Sequence, residues 1–111
     1  MRGAIPAAIV LALVNHQRAV HHERPLRSDA RLAAAARDCP ELGVLPCVRR
    51  HGYSAVVAAE NTAWGYATAA VAMRAWMASS EHRANILDPS WRATGVAVSG
   101  RRYVQVFAVP P

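Results

Sequence analysis

Glu60 and His82 are the two residues whose side chains could do acid–base or metal chemistry together. A carboxylate can orient an imidazole or share a metal ion with it, and an imidazole titrates near neutral pH. The two residues lie 22 positions apart, so they meet only if the helix predicted between them folds back beside the turn predicted at Glu60. The alternative is structural: Glu60 accepts backbone N–H bonds in that turn, while His82 hydrogen-bonds locally and shapes a cleft.

Catalysis is the weaker inference from this pair. Two ligands are fewer than the three or four protein ligands of a stable zinc site, and no Ser–His–Asp or Cys–His arrangement is evident in the sequence. His21 and His22 are adjacent in the chain and are followed by Glu23. Adjacent side chains on a helix point in different directions, so we expect a solvated helix end there rather than a metal site. Trp76 lies on an apolar helix face and is predicted to be buried, whereas Trp64 next to Gly65 is predicted to be exposed.

Two cysteines, Cys39 and Cys47, enclose Pro40, Gly43 and Pro46, which bend the chain and could bring the sulfurs together. The sequence leaves two interpretations open: a disulfide, or two small buried apolar side chains. The spacing is wrong for a C-x-x-C metal or redox motif. A disulfide closing so short a loop would add ~2–3 kcal/mol and imply an oxidising compartment.

Apolar spacing and capping residues predict four helical segments. The first spans residues 6–21, and the second begins after Ser28 or Asp29 and continues to Arg37. Thr68 is a good cap for a third helix that ends near Ser79. Residues 80–87 are predicted as a short helix or turn before Asp88-Pro89.

The C-terminal part of the chain alternates with the period of a β-hairpin, in strands of residues 96–99 and 103–108. Apolar residues on both faces of the second strand require helices on each side of the sheet. Residues 40–52 are predicted as a loop, and residues 53–59 as a strand or buried turn. The chain is therefore predicted to be α+β, in a single domain over residues 1–111.

Composition and charge exclude some classes of protein and some partners. The chain is 53% hydrophobic and 18% charged, which indicates a packed domain rather than a disordered segment. All thirteen cations are arginines, and the net charge is +6. The only adjacent pairs are Arg49-Arg50 and Arg101-Arg102, without interleaved aromatic residues, so we predict no nucleic-acid partner. The charge permits weak attraction to anionic membranes or cell-wall polymers.

The N-terminal segment has Arg2 followed by an apolar run over residues 4–14, which resembles the apolar region of a secretion signal. The run is too short for a transmembrane helix. The residues that follow it, Asn15 to Arg18, belong to the first predicted helix. We therefore predict neither a separable signal peptide within this chain nor a transmembrane helix.

Three segments resemble the CAP superfamily, the cysteine-rich secretory protein and pathogenesis-related-1 domain, in its short bacterial SCP-like form. The first segment is similar to the family's "LVN…R…PL…L…A", the second to "GY…GENIAxG" and the third to "WMxSxGHRxNIL…GVG…YxVQxF". The matching residues are Leu13-Val14-Asn15, Arg18, Pro25-Leu26 and Leu32 to Ala36; Gly52-Tyr53 and Glu60 to Gly65; and Trp76-Met77, Ser79, His82-Arg83, Asn85 to Leu87, Gly95-Val96 and Tyr103 to Phe107.

The resemblance implies an α-β-α sandwich with a small antiparallel sheet between helical layers. It also implies a cleft that holds two histidines and two acidic residues in fuller members. Here Glu60 and His82 match one acid and one histidine, and the second acid falls on Ser79. The segment between about residues 38 and 52, which should supply the first histidine, is shortened, and His51 is a stand-in. Ala59 and Glu81 replace family glycines.

By this resemblance the binding cleft comprises Glu60, His82, Asn61, Ser79 and Trp64. Glu60 and His82 are also the catalytic candidates, and with His51 they are the candidate ligands of a weakly bound divalent metal such as zinc. Arg83 and Asn85 are expected to fix the loop after His82 by bonding backbone carbonyls.

Two functions are implied by the resemblance. The first is a non-catalytic extracellular or cell-envelope module, predicted to be monomeric, that binds a lipid, a cell-envelope component or a protein. The second is a metal-assisted hydrolase that uses the Glu–His cleft. Because the first histidine is missing, we expect a shallower, more open cleft and weak zinc binding.

Overall fold

The computed structural model describes residues 6–39 and 43–111. The parts of the predictions that concern Arg2, residues 4–5 and Pro40 lie outside these ranges. The described chain contains five helices, α1 (Ala7–Val20), α2 (Ala30–Asp38), α3 (Val44–Arg50), α4 (Ala69–Ala78) and α5 (Ser80–Leu87), and four strands, β1 (Arg27–Ser28), β2 (Val57–Trp64), β3 (Ala93–Ser99) and β4 (Arg102–Val109).

The long helices begin where the sequence predicted them, because their caps are local. Asp29 precedes α2, and its side chain accepts a hydrogen bond from the Arg31 N–H at 2.8 Å. Thr68 precedes α4, and its hydroxyl accepts from the Val71 N–H at 3.2 Å. Each bond satisfies one of the N–H groups that a helix start leaves without an intrahelical partner.

The strands form one sheet in the order β1-β3-β4-β2. The predicted hairpin is present as β3 and β4, and β2 pairs antiparallel with the other side of β4. Beside the antiparallel pairs implied by the resemblance, the sheet contains one parallel pair, since β1 pairs with β3 through Arg27 and Ala93. A two-residue strand has no periodicity of its own, so only the folded chain reveals it.

Helices cover both faces of the sheet, as the apolar second strand of the hairpin required. One core contains Tyr103 and Phe107 of β4 with buried residues of α1, α4 and α5. The other contains Val104 and Val106 of β4 with residues of α2 and α3. This confirms the predicted α+β sandwich of helix, sheet and helix layers.

Two local predictions are wrong. The predicted loop over residues 40–52 contains the helix α3, where Gly43 is the N-cap with φ of 79° and Pro46 lies in the first turn. A proline is tolerated there because first-turn N–H groups have no intrahelical acceptor. The strand or buried turn predicted over residues 53–59 is a strand that begins later, at Val57, and ends at Trp64, so Glu60 belongs to a strand rather than a turn. Within the described residues, no helix is both long and apolar enough to cross a bilayer.

Candidate functional site

Strand β2 forms one edge of the sheet, and Asn61 in this strand connects it to α5. The Asn61 side chain is fully buried, and its amide nitrogen donates to the His82 carbonyl at 3.0 Å. Its side-chain oxygen accepts from the Asn85 amide at 2.9 Å. These two bonds fix the position of α5, and therefore of His82, against the edge strand.

The His82 ring is held by one neighbour in α4 and one in the junction between α4 and α5. Its Nδ1 lies 2.7 Å from the Ser79 hydroxyl oxygen. The ring stacks on Trp76 with a centroid distance of 6.5 Å and an interplanar angle of 13°. Trp76 in turn donates its indole N–H to the Thr62 carbonyl at 3.0 Å. The imidazole is therefore placed by α4, α5 and β2 together.

Two surface cavities meet at Trp64, the last residue of β2. One cavity of about 300 Å³ reaches from Trp64 to Ser79 and His82. A second cavity of about 340 Å³ shares the Trp64 wall and ends at Arg102. We call the two cavities together the Trp64 groove; they are lined by Thr62, Ala63, Trp64, Tyr66, Ala75, Trp76, Ser79, His82 and Arg102.

The exposure of the tryptophans agrees with the predictions made for Trp64 and Trp76. The Trp64 side chain is 75% exposed, whereas Trp76 is 2% exposed. An indole so open to water contributes apolar surface that a ligand can cover.

Glu60 lies on the other face of β2 from Asn61. It pairs with Val106, a member of the core beside α2 and α3, while its neighbour Ala59 packs against the opposite core. Both Glu60 carboxylate oxygens are buried. Because β2 is an edge strand, groups from its two faces can approach each other only around its open edge. That the Glu60 and His82 side chains lie within about 6 Å stays a prediction, on which the ligand count of a cleft metal site depends.

His51, the third metal candidate, lies beside the two cysteines. The cysteines form a disulfide with a Cα–Cα distance of 5.7 Å, which confirms their predicted proximity. The His51 Nδ1 is 2.8 Å from the Cys47 carbonyl, and its Nε2 is 3.0 Å from an Asp38 carboxylate oxygen. The hydrogen bond to the Cys47 carbonyl, and then the one to Asp38, raise the pKa of His51. These contacts give His51 a role at the disulfide and provide no support for it as a ligand in the groove.

Two predicted contacts after His82 differ in the structure. Asn85 donates to the side chain of Asn61 rather than to a backbone carbonyl. The Arg83 guanidinium lies 3.2 Å from the His21 ring nitrogen. Both partners come from distant parts of the chain, so spacing within the α5 segment could not reveal them.

Tyr66 and Ala75 line the groove and were not predicted as site residues. The position of Tyr66 directly after the exposed Trp64-Gly65 turn was the one signal available for it. Ala75 carries no chemical signal, because an alanine on a helix is read as packing.

Comparison with known proteins identifies the family of proteins to which this fold and site belong. The chain belongs to the CAP family, described as the cysteine-rich secretory protein family, whose family model matches residues 11–109. The *Bacillus subtilis* protein YkwD is 31% identical over 88% of this chain and 45% of its own length.

Solved structures show the same fold. An extracellular protein containing an SCP domain from *Bacillus anthracis* superposes with a TM-score of 0.85 at 25% identity, over 93% of this chain and 40% of that one. An outer surface protein of *Borrelia burgdorferi* covers all of both chains with a TM-score of 0.81 at 16% identity, a likeness of fold alone. The chain spans less than half the length of the two *Bacillus* proteins.

Proposed function

We propose that this CAP domain is a non-catalytic extracellular binding module that takes an anionic component of the cell envelope into the Trp64 groove. The names of two structural relatives, an extracellular protein and an outer surface protein, support this location. The observation that carries the proposal is the 75% exposed Trp64 in a groove that ends at Arg102.

Trp64, shared by both cavities, and Arg102, at one end of the groove, offer different chemistry. The Trp64 ring supplies a flat apolar surface that costs little conformational entropy to fix, which favours contact with the ring or chain of a ligand. Arg102 supplies a planar cation with several N–H donors, which suits phosphate and carboxylate oxygens. The net charge of +6 adds long-range attraction to an anionic surface.

The test measures binding of the oxidised chain to vesicles of phosphatidylcholine with and without phosphatidylglycerol, and to isolated cell walls with and without their phosphate polymers. We expect Trp64→Ala to weaken binding at least 10-fold and Arg102→Ala to weaken it and reduce its salt dependence. Arg50→Ala on α3 is the control, because it removes the same charge away from the groove. Equal losses for Arg102→Ala and Arg50→Ala, with no loss for Trp64→Ala, would reduce the effect to net charge and overturn the proposal.

A second candidate function is hydrolysis, which the 2.7 Å contact between Ser79 and His82 favours. A hydroxyl beside an imidazole is the start of an activated nucleophile, and a metal bound by His82 and Glu60 would activate water instead. With one imidazole and one carboxylate, we expect the oxidised chain to bind zinc no tighter than ~10 µM. Sub-micromolar binding measured by calorimetry, and lost in Glu60→Ala and His82→Ala, would put the hydrolase ahead of the binding module.

A further inference from the structure

A histidine, which can bind a metal ion, lies beside the two sulfurs of the Cys39–Cys47 disulfide. The sulfurs of Cys39 and Cys47 and a ring nitrogen of His51 all lie within 4.8 Å of one another. Among the residues the structure describes, this is the one group of three or more metal-ligating side chains placed so closely. None of the three residues belongs to the Trp64 groove.

We propose that reduction of the Cys39–Cys47 disulfide creates a zinc site formed by Cys39, Cys47 and His51. A dithiol reductant transfers two electrons and two protons to the disulfide, is itself oxidised to a disulfide, and leaves two thiols. Zinc then binds two thiolates and a neutral imidazole. The two thiol protons are released, and a ring that starts protonated at both nitrogens releases its Nδ1 proton as well. This inference is independent of the proposed function.

The distance between Cys47 and His51 already fits a tetrahedral ion. Zn–S bonds of about 2.3 Å and Zn–N bonds of about 2.0–2.1 Å place a sulfur and a nitrogen ligand about 3.6 Å apart. The Cys47 sulfur and the His51 Nδ1 are 3.7 Å apart. The two sulfurs must separate to about 3.8 Å by the same geometry, which cleavage of their bond permits. The Cys39 sulfur already lies within 4.8 Å of a His51 ring nitrogen.

The three ligands lie on rigid elements. Cys39 is the C-cap of α2, Cys47 lies in α3, and His51 is the C-cap of α3. Cys47 and His51 are four residues apart, so the helix presents them on the same face. Both cysteines are buried, whereas His51 is half-buried, which gives an ion a path from solvent.

Asp38 supplies the outer partner of such a site. Its carboxylate lies 3.0 Å from the His51 Nε2, on the far side of the ring from Cys47. A histidine that ligates zinc through one nitrogen commonly donates its other N–H to a carboxylate, which fixes the tautomer and the ring orientation. In the oxidised chain both ring nitrogens face acceptors, Nδ1 the Cys47 carbonyl and Nε2 the Asp38 carboxylate. Metal binding therefore requires Nδ1 to lose its proton and its hydrogen bond to the carbonyl, while Nε2 keeps its bond to Asp38. Two thiolates neutralise the charge of the ion, and the fourth position is left to water.

The test uses the whole chain, reduced with dithiothreitol and freed of it without oxygen, beside the oxidised chain. Cobalt(II) is titrated first, because thiolate ligation gives charge-transfer absorption, and zinc is then used to displace it. We expect one ion per reduced chain, at least 100-fold tighter than in the oxidised chain, with absorption of two thiolates. His51→Ala should weaken binding at least 10-fold and Asp38→Asn about 10-fold, whereas His16→Ala, an exposed histidine of α1, should leave it unchanged.

Folding is followed in the same samples by circular dichroism and thermal unfolding. Zinc should raise the melting temperature of the reduced chain, or restore its fold if reduction unfolds it, and should do neither for the reduced His51→Ala chain. The proposal is overturned if cobalt binds without thiolate absorption, if His51→Ala binds as tightly as the unaltered chain, or if zinc binds the reduced chain only in an unfolded state.

Discussion

Arg18 is a fully buried cation whose hydrogen bonds join distant parts of the chain. Its guanidinium donates to the carbonyls of Arg24, Ile86 and Asp88 at 2.8–2.9 Å. Burial lowers its pKa, while the charges of Glu23 and Asp88 act in the opposite direction. The hydrogen bonds, rather than an ion pair, therefore account for the presence of this arginine in an apolar helix face.

Replacing Arg18 by methionine should lower the free energy of unfolding by about 3 kcal/mol, because three carbonyl acceptors lose a charged donor. Two of these carbonyls, those of Ile86 and Asp88, lie at the C-terminal end of α5. Urea unfolding measures the change. Arg74→Met, at an exposed position of α4, is the control and should change stability by less than about 0.5 kcal/mol. Equal effects of the two substitutions would contradict the role assigned to Arg18.

Asp29 should make the stability of the domain depend on acid pH. Hydrogen bonds from the Arg31 side chain lower the pKa of Asp29. Because the folded pKa lies below the unfolded value of about 3.9, the stabilisation is fully present above that value and is lost as the pH falls through the folded pKa. Between about pH 5 and about pH 3, Asp29→Asn should lose less stability than the unaltered chain in urea titrations. If the free energies of unfolding of the two chains fell equally with pH, Asp29 would make no contribution to the pH dependence of stability.

At the scale of secondary structure, α5 is held by side chains from β2, α1 and the loop before β3. Its His82 carbonyl accepts from Asn61 of β2, its Asn85 carbonyl from the Trp91 indole at 2.7 Å, and its Ile86 carbonyl from Arg18 of α1. Asn85 and Ile86 are among the last four residues of the helix, whose carbonyls have no intrahelical partner. Trp91 and Arg18 therefore complete the C-terminal end of α5, while Asn61 adds a bond near its start. A helix of eight residues, too short to be stable alone, is thereby fixed beside the groove.

The contact between α2 and β3 depends on the absence of a side chain at Gly95. A Cβ at this position would overlap the backbone of Leu32 and Ala33 in α2, which cannot turn aside as a flexible side chain can. We expect Gly95→Ala to destabilise the domain by about 3 kcal/mol. Ser99→Ala, at an exposed position of the same strand, should be nearly neutral. A Gly95→Ala chain of unchanged melting temperature would contradict this close packing.

At the scale of the whole molecule, the disulfide joins the end of α2 to α3. The disulfide closes a loop and so restricts the unfolded chain. We therefore expect the free energy of unfolding to fall by ~2–3 kcal/mol when both cysteines are replaced by alanine, as measured by urea unfolding in the presence of a chelator. The buried alanines keep the site apolar, so the loss reports mainly the crosslink. A double variant as stable as the oxidised chain would show that the crosslink contributes nothing to stability.

The sequence by itself determined the elements that depend on neighbours along the chain. The caps Asp29 and Thr68, the apolar spacing of α1 and α4, and the alternation of the hairpin are local features. They predicted three long helices, a short helix or turn over residues 80–87 and a covered sheet. The motif resemblance predicted the CAP fold. The exposure of Trp64 also followed from its place at a glycine turn.

Tertiary structure alone decided what depends on contacts between distant residues. Pairing with β4 places Glu60 on the face opposite Asn61, and a shift of one residue in that register would reverse both. The two residues of β1 are a strand only because Ala93 and Thr94 lie beside them. His51 faces the disulfide because α3 forms where prolines and glycines predicted a loop. Each of these features depends on packing that is defined only when the helices and the sheet come together. Local sequence patterns therefore cannot predict them.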